Sequence, residues 1–374
     1  MVKKIRHLIS NKNIHRIVDF EQVEVFENVL VSSTVISIGN LNGIPNNRLT
    51  YAKFYRLKQD EFKKDFVEHK ENLGVYPQNV LDDNEWSFAD LTGLRLKAKL
   101  EGDSTRLEDI EGVNIYRGVT TGFNPAFIIS DEQRDKLISL DSKNREVIKN
   151  MLQGRNIRKW YYNESDENLI FTRRGINIDI YPQIKKYLSE FYDQLKPKKS
   201  PADESGRKPG PYEWYEILDN TAYYPHFEKN KKIIWGLTAD KWAFTMDEAK
   251  HYLPSNGYIL TSNIFSIEYI LGLLNSKLMQ HYFSYIGVMT AGGAYTLKAA
   301  TISALPFKIA HNTSDIANIV QEVLSIKTNN HDADVSLLEN KIDILVYKLY
   351  GLNYDEVLIV DSETPITREE YESK

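Results

Sequence analysis

The 374-residue sequence contains no cysteine. A chain without cysteine has no disulfide framework, no thiol nucleophile and no Cys-ligated zinc or iron–sulfur site. Its eight histidines are scattered, without an HExxH motif or a pair at metal-ligand spacing. The glycine-rich phosphate-binding motifs GxxxxGK[ST] and GxGxxG are also missing. The sequence therefore argues against cysteine-based, metal-hydrolase and nucleotide-cradling chemistries.

Long apolar runs are scarce as well. The longest nearly uncharged stretches, Val29 to Gly39 and Ile264 to Leu274, are too short to cross a bilayer. The N-terminus lacks the apolar segment of a secretory signal. We therefore expect a cytoplasmic protein with no membrane contact. Because 42% of the residues are apolar, the chain can bury a large core, and its length predicts two or three structural units.

The net charge of -5 conceals an uneven distribution. Residues 143–208 hold fifteen Lys and Arg against nine Asp and Glu, whereas the rest of the chain holds 32 against 43. A local basic segment is what a phosphate-binding surface requires, since each neutralised phosphate releases counterions. The same pattern also fits a solvated loop and helix face. Within it, the Pro-, Gly- and Lys-rich stretch Lys196–Pro211 predicts a mobile loop that orders on a phosphate backbone or simply connects two elements.

Residue patterns predict an α+β fold, with a mixed β-sheet, packed helices and further helices at the C-terminus. The predicted units are 1–50, 51–104, 105–310 and 311–374. Helices are expected at 4–10, 53–72, 144–153, 181–194, 266–284, 315–327 and 335–350, the last capped by Gly351. Strands are expected at 14–20, 25–26, 29–38, 169–172, 232–237, 242–246, 257–261 and 304–308.

The strongest turn pattern is Gly118–Phe127 (GVTTGFNPAF), in which two glycines bracket two threonines and an Asn-Pro follows. It predicts a tight loop between strands that exposes backbone N–H groups and hydroxyls, suited to an anion or a base edge. A hairpin without a ligand fits it equally. Aromatic residues interleave with cations, as in Arg158–Tyr162 and Lys241-Trp242. Such pairs suit nucleic acid, although most aromatic residues fill cores.

Several segments together resemble a known family. In chain order they are Gly118–Phe127, Gly154–Trp160 (GRNIRKW), Trp214-Tyr215, Lys232–Ile234, Leu271–Lys277 (LGLLNSK), Leu305–Phe307 and Leu338–Asp343 with Leu349–Leu352. This ordered set, over about residues 105 to 355, resembles the TaqI-like C-terminal specificity domains of adenine-N6 DNA methyltransferases and of fused type II restriction-modification enzymes.

The resemblance implies DNA target recognition without chemistry in this chain. Ile14–Phe20 and Val25–Val29 are similar to the last strands of the family's methyltransferase domain, so residues 1–50 are expected to be the end of that domain. The [NDS]PP[YFW] motif that holds a flipped adenine is absent from the sequence, as is a glycine-rich turn for S-adenosylmethionine. We therefore expect no catalytic residue, metal or cofactor here, and S-adenosylmethionine bound by an upstream methyltransferase domain of the same parent chain.

Double-stranded DNA is the partner that the resemblance implies. The predicted phosphate contacts are Arg155, Arg158, Lys159, Arg173, Arg174, Lys198, Lys199, Arg207 and Lys208, with Trp160 beside them. The predicted base contacts are Thr120, Thr121, Asn124, Lys241 and Trp242. Tyr295, Thr296 and Lys298, beside Gly292-Gly293, are candidates for the DNA cleft or for a hinge between lobes.

Two other functions remain open on the sequence. A structural or protein-interaction module of a phage-defence complex that does not read DNA fits the mild acidity and the abundance of core-type aromatic residues. An intact enzyme acting on small substrates has only scattered carboxylates in its favour, so we rank it last.

Overall fold

The fold is described from a computed structural model, which defines residues 2–20, 33–42, 47–53, 74–81, 86, 91–200, 202–289, 293–310 and 312–373. The strand expected at 25–26, most of the helix expected at 53–72 and Gly292 lie outside these residues.

Helices and strands alternate along the chain in a mixed α+β order, as the sequence predicts. The helices are α1 Val2–Ser10, α2 Leu91–Gly102, α3 Asn124–Phe127, α4 Asp131–Leu140, α5 Pro182–Ser189, α6 Tyr192–Leu195, α7 Ile267–Asn275, α8 Lys277–Ile286, α9 Ala299–Ser303, α10 Ser314–Asn329, α11 Ser336–Leu349, α12 Tyr354–Val360 and α13 Arg368–Glu372. The strands are β1 Lys12–Asp19, β2 Thr34–Asn42, β3 Arg48–Lys53, β4 Gly74–Pro77, β5 Thr105–Arg106, β6 Val113–Arg117, β7 Ile128–Ser130, β8 Ile148–Asn150, β9 Glu167–Ile170, β10 Lys232–Gly236, β11 Thr238–Ala239, β12 Thr245–Asp247, β13 Gly257–Ser262, β14 Val288–Met289, β15 Tyr295–Thr296 and β16 Pro306–Phe307.

The N-terminal sheet has the strand order β2-β1-β3-β4. Strands β1 and β3 run parallel, and the other neighbours are antiparallel. Ile14, Ile17 and Leu49 form the core of this sheet. Helix α2 links this sheet to the rest of the molecule. Its Leu94 packs on the core of the N-terminal sheet, whereas its Leu96 belongs to the core formed with the C-terminal helices. Strand β3 pairs with β1 and β4 and crosses residue 50, at which the sequence predicts a domain boundary.

A second four-stranded sheet lies at the centre of the fold, with antiparallel order β12-β10-β13-β6. Ile233 pairs with Leu260, and Ile234 pairs with Ile259. Because successive side chains of a strand point to opposite faces, the two pairs lie on opposite sides of the sheet. The first pair joins one large core and the second pair joins another. We call these two sides the helix face and the loop face.

The helix face is covered by helices from the C-terminal third of the chain. Leu271 on α7, Val320 on α10 and Val346 on α11 all lie in its core. Helix α11 thus packs within the chain through apolar side chains, with Ile342 and Val346 buried. One hydrophobic core therefore contains residues from both sides of residue 310, at which the sequence predicts another domain boundary.

The loop face is covered by the small antiparallel sheet β7-β9-β8 and by helices α4 and α5. Much of the rest is irregular. Between α6 and β10, the described residues form one short 3-10 helix, Tyr224–Glu228, and one isolated bridge, Pro197 to Arg207. Buried Ile217 and Phe227 anchor this irregular stretch in the core of the loop face.

Several local predictions differ from the structure. The helix expected over 181–194 is two helices, α5 and α6, and the last four residues of the expected loop Gly118–Phe127 form α3. Residues 144–153 form the end of a 3-10 helix and then β8, because the edge of β9 offers backbone partners to the β-branched Val147-Ile148. The helix expected over 266–284 is two helices, since the extended backbone of Ser276 ends α7 and its hydroxyl caps α8. The stretch 196–211 is anchored by Arg207, which is 4% exposed, so its described part is no free loop.

No helix in the described part of the chain is both long enough and apolar enough to cross a membrane.

Candidate nucleic-acid interface

Three irregular loops meet at the loop face: residues 118–124, 171–176 and 213–221. We call them the loop cluster. The backbone of the third loop joins the other two, because Leu218 N donates to Thr121 O at 3.1 Å and Ile217 N donates to Thr172 O at 2.8 Å. Asp219 N donates to Thr120 O at 3.1 Å. The three loops are therefore one hydrogen-bonded unit.

Two arginines of the second loop tie it to the third. Arg174 donates from its two terminal nitrogens to Ile217 O and Leu218 O, each at 2.6 Å. Arg173 donates from Nη2 to Thr221 O at 2.9 Å. Both were predicted to contact phosphate. The structure uses these donors on backbone carbonyls that have no strand or helix partner, which satisfies buried polar groups.

Glu216 supplies the negative charge at this joint. It is 4% exposed, and its carboxylate lies 3.5 Å from Arg174 Nη1. It also accepts the backbone N–H of Gly175 at 2.7 Å and of Glu213 at 2.9 Å. A buried carboxylate beside a partly exposed arginine, with its hydrogen bonds satisfied, favours a single loop conformation at the expense of desolvation.

The lysines of the predicted interface behave differently from the arginines. Lys199, Lys208, Lys241 and Lys298 are exposed, and Lys198 is half-buried. Within the ranges that the structure describes, these five ammonium groups form no ion pair with a carboxylate. They are free to neutralise an external anion.

The basic turn Gly154–Trp160 divides into an exposed half and a docked half. Arg155 is 70% exposed at its side chain, though it pairs with Glu167 at 2.7 Å, and Arg158 is exposed. Lys159 instead pairs with Glu339 of α11 at 2.7 Å. The indole N–H of Trp160 donates to the same carboxylate at 2.6 Å. The second half of the turn therefore attaches the C-terminal helices to the loop face.

Four of the residues predicted to contact DNA lie in the interior of the structure: Thr121 (1% exposed), Trp160 (3%), Arg207 (4%) and Trp242 (4%). Thr121 donates its hydroxyl to Asn124 Oδ1 at 2.6 Å and stabilises the turn. The indole N–H of Trp242 donates to Leu274 O at 2.6 Å, in the core of the helix face. These side chains build the scaffold and offer no surface to DNA.

The remaining candidates lie in two places. Thr120 and Asn124 are on the first loop of the loop cluster, where Asn124 is exposed. Tyr295 and Thr296 form β15, which pairs with β11 and β14. Tyr295 is half-buried and its hydroxyl accepts from Gln280 at 2.7 Å. Thr120 and Asn124 thus belong to the loop cluster, whereas Tyr295 and Thr296 lie outside it.

Sequence reasoning missed the loop 213–221. Within this loop the sequence pattern singles out Trp214-Tyr215, and that pair does not predict a role for Asn220. Asn220 is exposed at the tip of the loop, 3.5 Å from Arg173 Nη2. An exposed amide has both donor and acceptor atoms, as adenine recognition in the major groove requires.

A buried charged group lies below the cluster. Lys232 Nζ is 2.5 Å from Asp247 Oδ2, and both side chains are 0% exposed. His251 Nδ1 lies 2.9 Å from Asp247 Oδ1. Although burial opposes ionisation, the hydrogen bond from His251 and the charge of Lys232 hold the pKa of Asp247 below its ordinary value. In the described ranges, no group of three or more His, Asp or Glu is placed to hold a metal ion.

The fold is similar to that of a solved restriction-modification enzyme. A chain from the structure of the type IIL restriction-modification enzyme MmeI in complex with DNA matches with a TM-score of 0.56 at 12% sequence identity. The match covers 97% of this chain and 46% of that one, so this chain spans about half the length of its neighbour. The type IIG restriction endonuclease BpuSI matches with a TM-score of 0.38 at 14% identity, over 95% of this chain and 45% of that one.

No curated protein gives a significant sequence match. A family model does: residues 149–307 match the TaqI-like C-terminal specificity domain. This range includes two of the three loops of the loop cluster, residues 171–176 and 213–221. The resemblance inferred from the sequence is therefore confirmed, and over residues 149–307 the chain is similar to the TaqI-like C-terminal specificity domains.

Proposed function

We propose that this chain binds duplex DNA sequence-specifically, as the target-recognition region of a restriction-modification or phage-defence adenine-N6 DNA methyltransferase. The observation that carries the proposal is the specificity-domain match over residues 149–307. We assign this recognition to the loop cluster. Rigid irregular loops on a packed scaffold are where proteins place recognition residues.

Phosphate positioning falls to the exposed cations. Lys199 and Lys208 lie in the stretch that Arg207 attaches to the loop cluster, since Lys198 N donates to Arg207 O at 3.0 Å. Free ammonium groups can replace the counterions of a DNA backbone, and this term dominates affinity without reading sequence. Base reading falls to Asn124 and Asn220, whose amides are exposed on the first and third loops.

We further propose that methyl transfer and S-adenosylmethionine binding belong to another part of the parent protein. The support is that this chain spans 46% of the MmeI chain that it resembles in fold. Calorimetry with S-adenosylmethionine tests the idea, and we expect no heat of binding by the 374-residue chain. Saturable binding of the cofactor would contradict it.

A competing function, a protein-interaction module, draws less support. The apolar side chains of Ile342 and Val346 on α11 pack inside the chain, where they are buried, so they offer no face to a protein partner. We therefore favour DNA over a protein as the partner of this region.

A salt titration with duplex DNA is the decisive experiment. Anisotropy of a labelled 40-base-pair duplex with a randomised centre measures affinity from about 50 to 200 mM salt, where a surface that contacts several phosphates loses affinity steeply. The matched variant Lys199→Ala/Lys208→Ala is expected to lower the slope of log affinity against log salt by roughly two. Absence of binding by the unmodified chain near 50 mM salt would refute the proposed function.

A further inference from the structure

We infer that Arg207 is a positioning residue for sequence recognition: its buried guanidinium holds the first and third loops of the loop cluster in the conformation that reads DNA, and it does not itself contact phosphate. This inference rests on the proposed DNA-recognition function.

The donors of Arg207 are fully used inside the protein. Nε donates to Leu195 O at 2.8 Å. Nη1 donates to Thr121 O and to Glu216 O, both at 2.8 Å. Nη2 donates to Trp214 O at 2.9 Å and faces Glu213 O at 3.5 Å. A guanidinium has five N–H groups, so none is left for a phosphate.

The carbonyls that Arg207 binds come from three separate stretches of chain. Thr121 belongs to the first loop, Glu213, Trp214 and Glu216 to the third, and Leu195 to the end of α6. These stretches lack a ladder of their own, and one planar cation donates to carbonyls in all three. Together with the backbone hydrogen bonds from Leu218 N and Asp219 N, Arg207 therefore holds the first loop, which carries Asn124, against the third, which carries Asn220.

The first loop is shaped to fit around the arginine stem. A Cβ atom at Gly122 would lie 2.8 Å from Arg207 Cδ, and Gly122 has a φ of 83°, in the left-handed region that favours glycine. The guanidinium also lies 4.6 Å from the ring centre of Tyr212. The contact between Arg207 and the loop is thus made by packing as well as by hydrogen bonds.

Arginine is the one residue type that meets these demands. Lysine has three donors on a single nitrogen and cannot reach five carbonyls in a plane. Burial lowers the pKa of Arg207 to about 10, so the side chain stays charged at neutral pH. Glu216, buried beside it, supplies a compensating negative charge.

The test compares Arg207→Lys and Arg207→Gln with the adjacent exposed Lys208→Gln in the 374-residue chain. The probes are the duplex that the unmodified chain selects from a randomised pool and the same duplex with its centre shuffled. Affinity for each is measured over a range of salt. A global loss of folded protein lowers both affinities equally, so the ratio between them reports loop positioning rather than stability.

For the Arg207 variants we expect the selected-to-shuffled affinity ratio to fall at least tenfold while the salt slope for the shuffled duplex stays unchanged. For Lys208→Gln we expect the opposite, a slope smaller by roughly one with the ratio unchanged. Gly122→Ala, which disturbs the same contact and keeps the charge, should reproduce the loss of discrimination. It also serves as the test variant if both Arg207 substitutions fail to fold.

Two results would overturn the inference. A salt slope reduced by roughly one in Arg207→Gln, with discrimination retained, would make Arg207 a direct phosphate contact. Full discrimination in a folded Arg207 variant, or in Gly122→Ala, would show that the loops need no such support. If the unmodified chain binds no duplex or selects no sequence, the proposed function itself fails, so the two failures are distinguishable.

Discussion

The two faces of the central sheet are built in different ways. On the helix face, regular helices satisfy their own backbone, and the contact is made mainly by apolar side chains such as Leu271 and Val320. On the loop face, irregular stretches bring carbonyls inside, and charged side chains such as Arg207 and Lys232 satisfy them. On the loop face, buried cations donate to carbonyls of irregular backbone, because a buried carbonyl needs a donor.

The difference has a functional meaning. Helices packed by apolar contacts tolerate repacking, whereas a loop held by directed hydrogen bonds has one geometry. Recognition of bases depends on that single geometry, since amide and base edge must align within hydrogen-bond distance. The loop face is therefore the side of the molecule to which we assign the proposed sequence recognition.

The largest effect is expected on the loop face from Lys232→Met. This change leaves Asp247 buried without its cation and Phe227 O without the donor that lies 2.8 Å away. Breaking a buried pair costs about 3–5 kcal/mol of unfolding free energy. Denaturant titration at pH 7 measures it, with exposed Lys241→Met as the control, expected within about 0.5 kcal/mol. Equal effects of the two changes would show that the buried pair of Lys232 and Asp247 does not stabilise the loop face.

A smaller effect is expected on the helix face from Gly272→Ala. A Cβ atom there would lie 2.5 Å from Ile316 Cγ2 and 3.0 Å from Val320 Cγ2, so α7 and α10 must separate. Overpacking of this kind costs about 1–3 kcal/mol. Gly102→Ala is the control, because nothing lies within 4 Å of its Cβ position. Thermal unfolding compares the two, and a neutral Gly272→Ala would contradict the close helix contact.

The helix face also holds one buried acid that depends on pH. Burial raises the pKa of Asp343 to about 6, above its value in an unfolded chain. The folded protein thus holds this proton more tightly, and stability falls as pH rises between about 4 and 6. Relative to Asp343→Asn, whose amide oxygen can still accept Lys277 N, the unmodified chain should lose about 1 kcal/mol between pH 5 and pH 8. Parallel stability curves for the two proteins would rule this out.

The smallest stability effect is expected from Lys199→Ala/Lys208→Ala. Both side chains are exposed. Removing them should change the unfolding free energy by less than about 0.5 kcal/mol. A larger loss would mean that these lysines, like the arginines, hold the loops together. Denaturant titration beside the DNA measurements separates the two roles.

Much of the framework was predictable from the sequence. Strands β10 and β13 follow from their β-branched runs, and the end of α11 follows from Gly351, which has a φ of 66°. Ser276, within the segment Leu271–Lys277 that resembles the family, caps α8 through its hydroxyl. These features depend on neighbours in sequence or on simple periodicity.

The candidate site was predictable only in outline. The family and the loop Gly118–Phe127 were found, but Arg173, Arg174 and Arg207 were grouped with the lysines as phosphate contacts. Nothing local distinguishes Arg207 from the adjacent Lys208, since both lie in one polar stretch. The DNA contacts and the domain boundaries given for the sequence stay predictions.

By itself, the sequence determined the absence of cysteine chemistry, the α+β class, the resemblance to specificity domains and the basic character of residues 143–208. Only the tertiary structure decided which of those cations face outward. Arg207 reaches Thr121, 86 residues away in the chain, and that contact exists only in the folded protein. A charge is a property of the residue, whereas its availability depends on which backbone groups the folded chain leaves without partners.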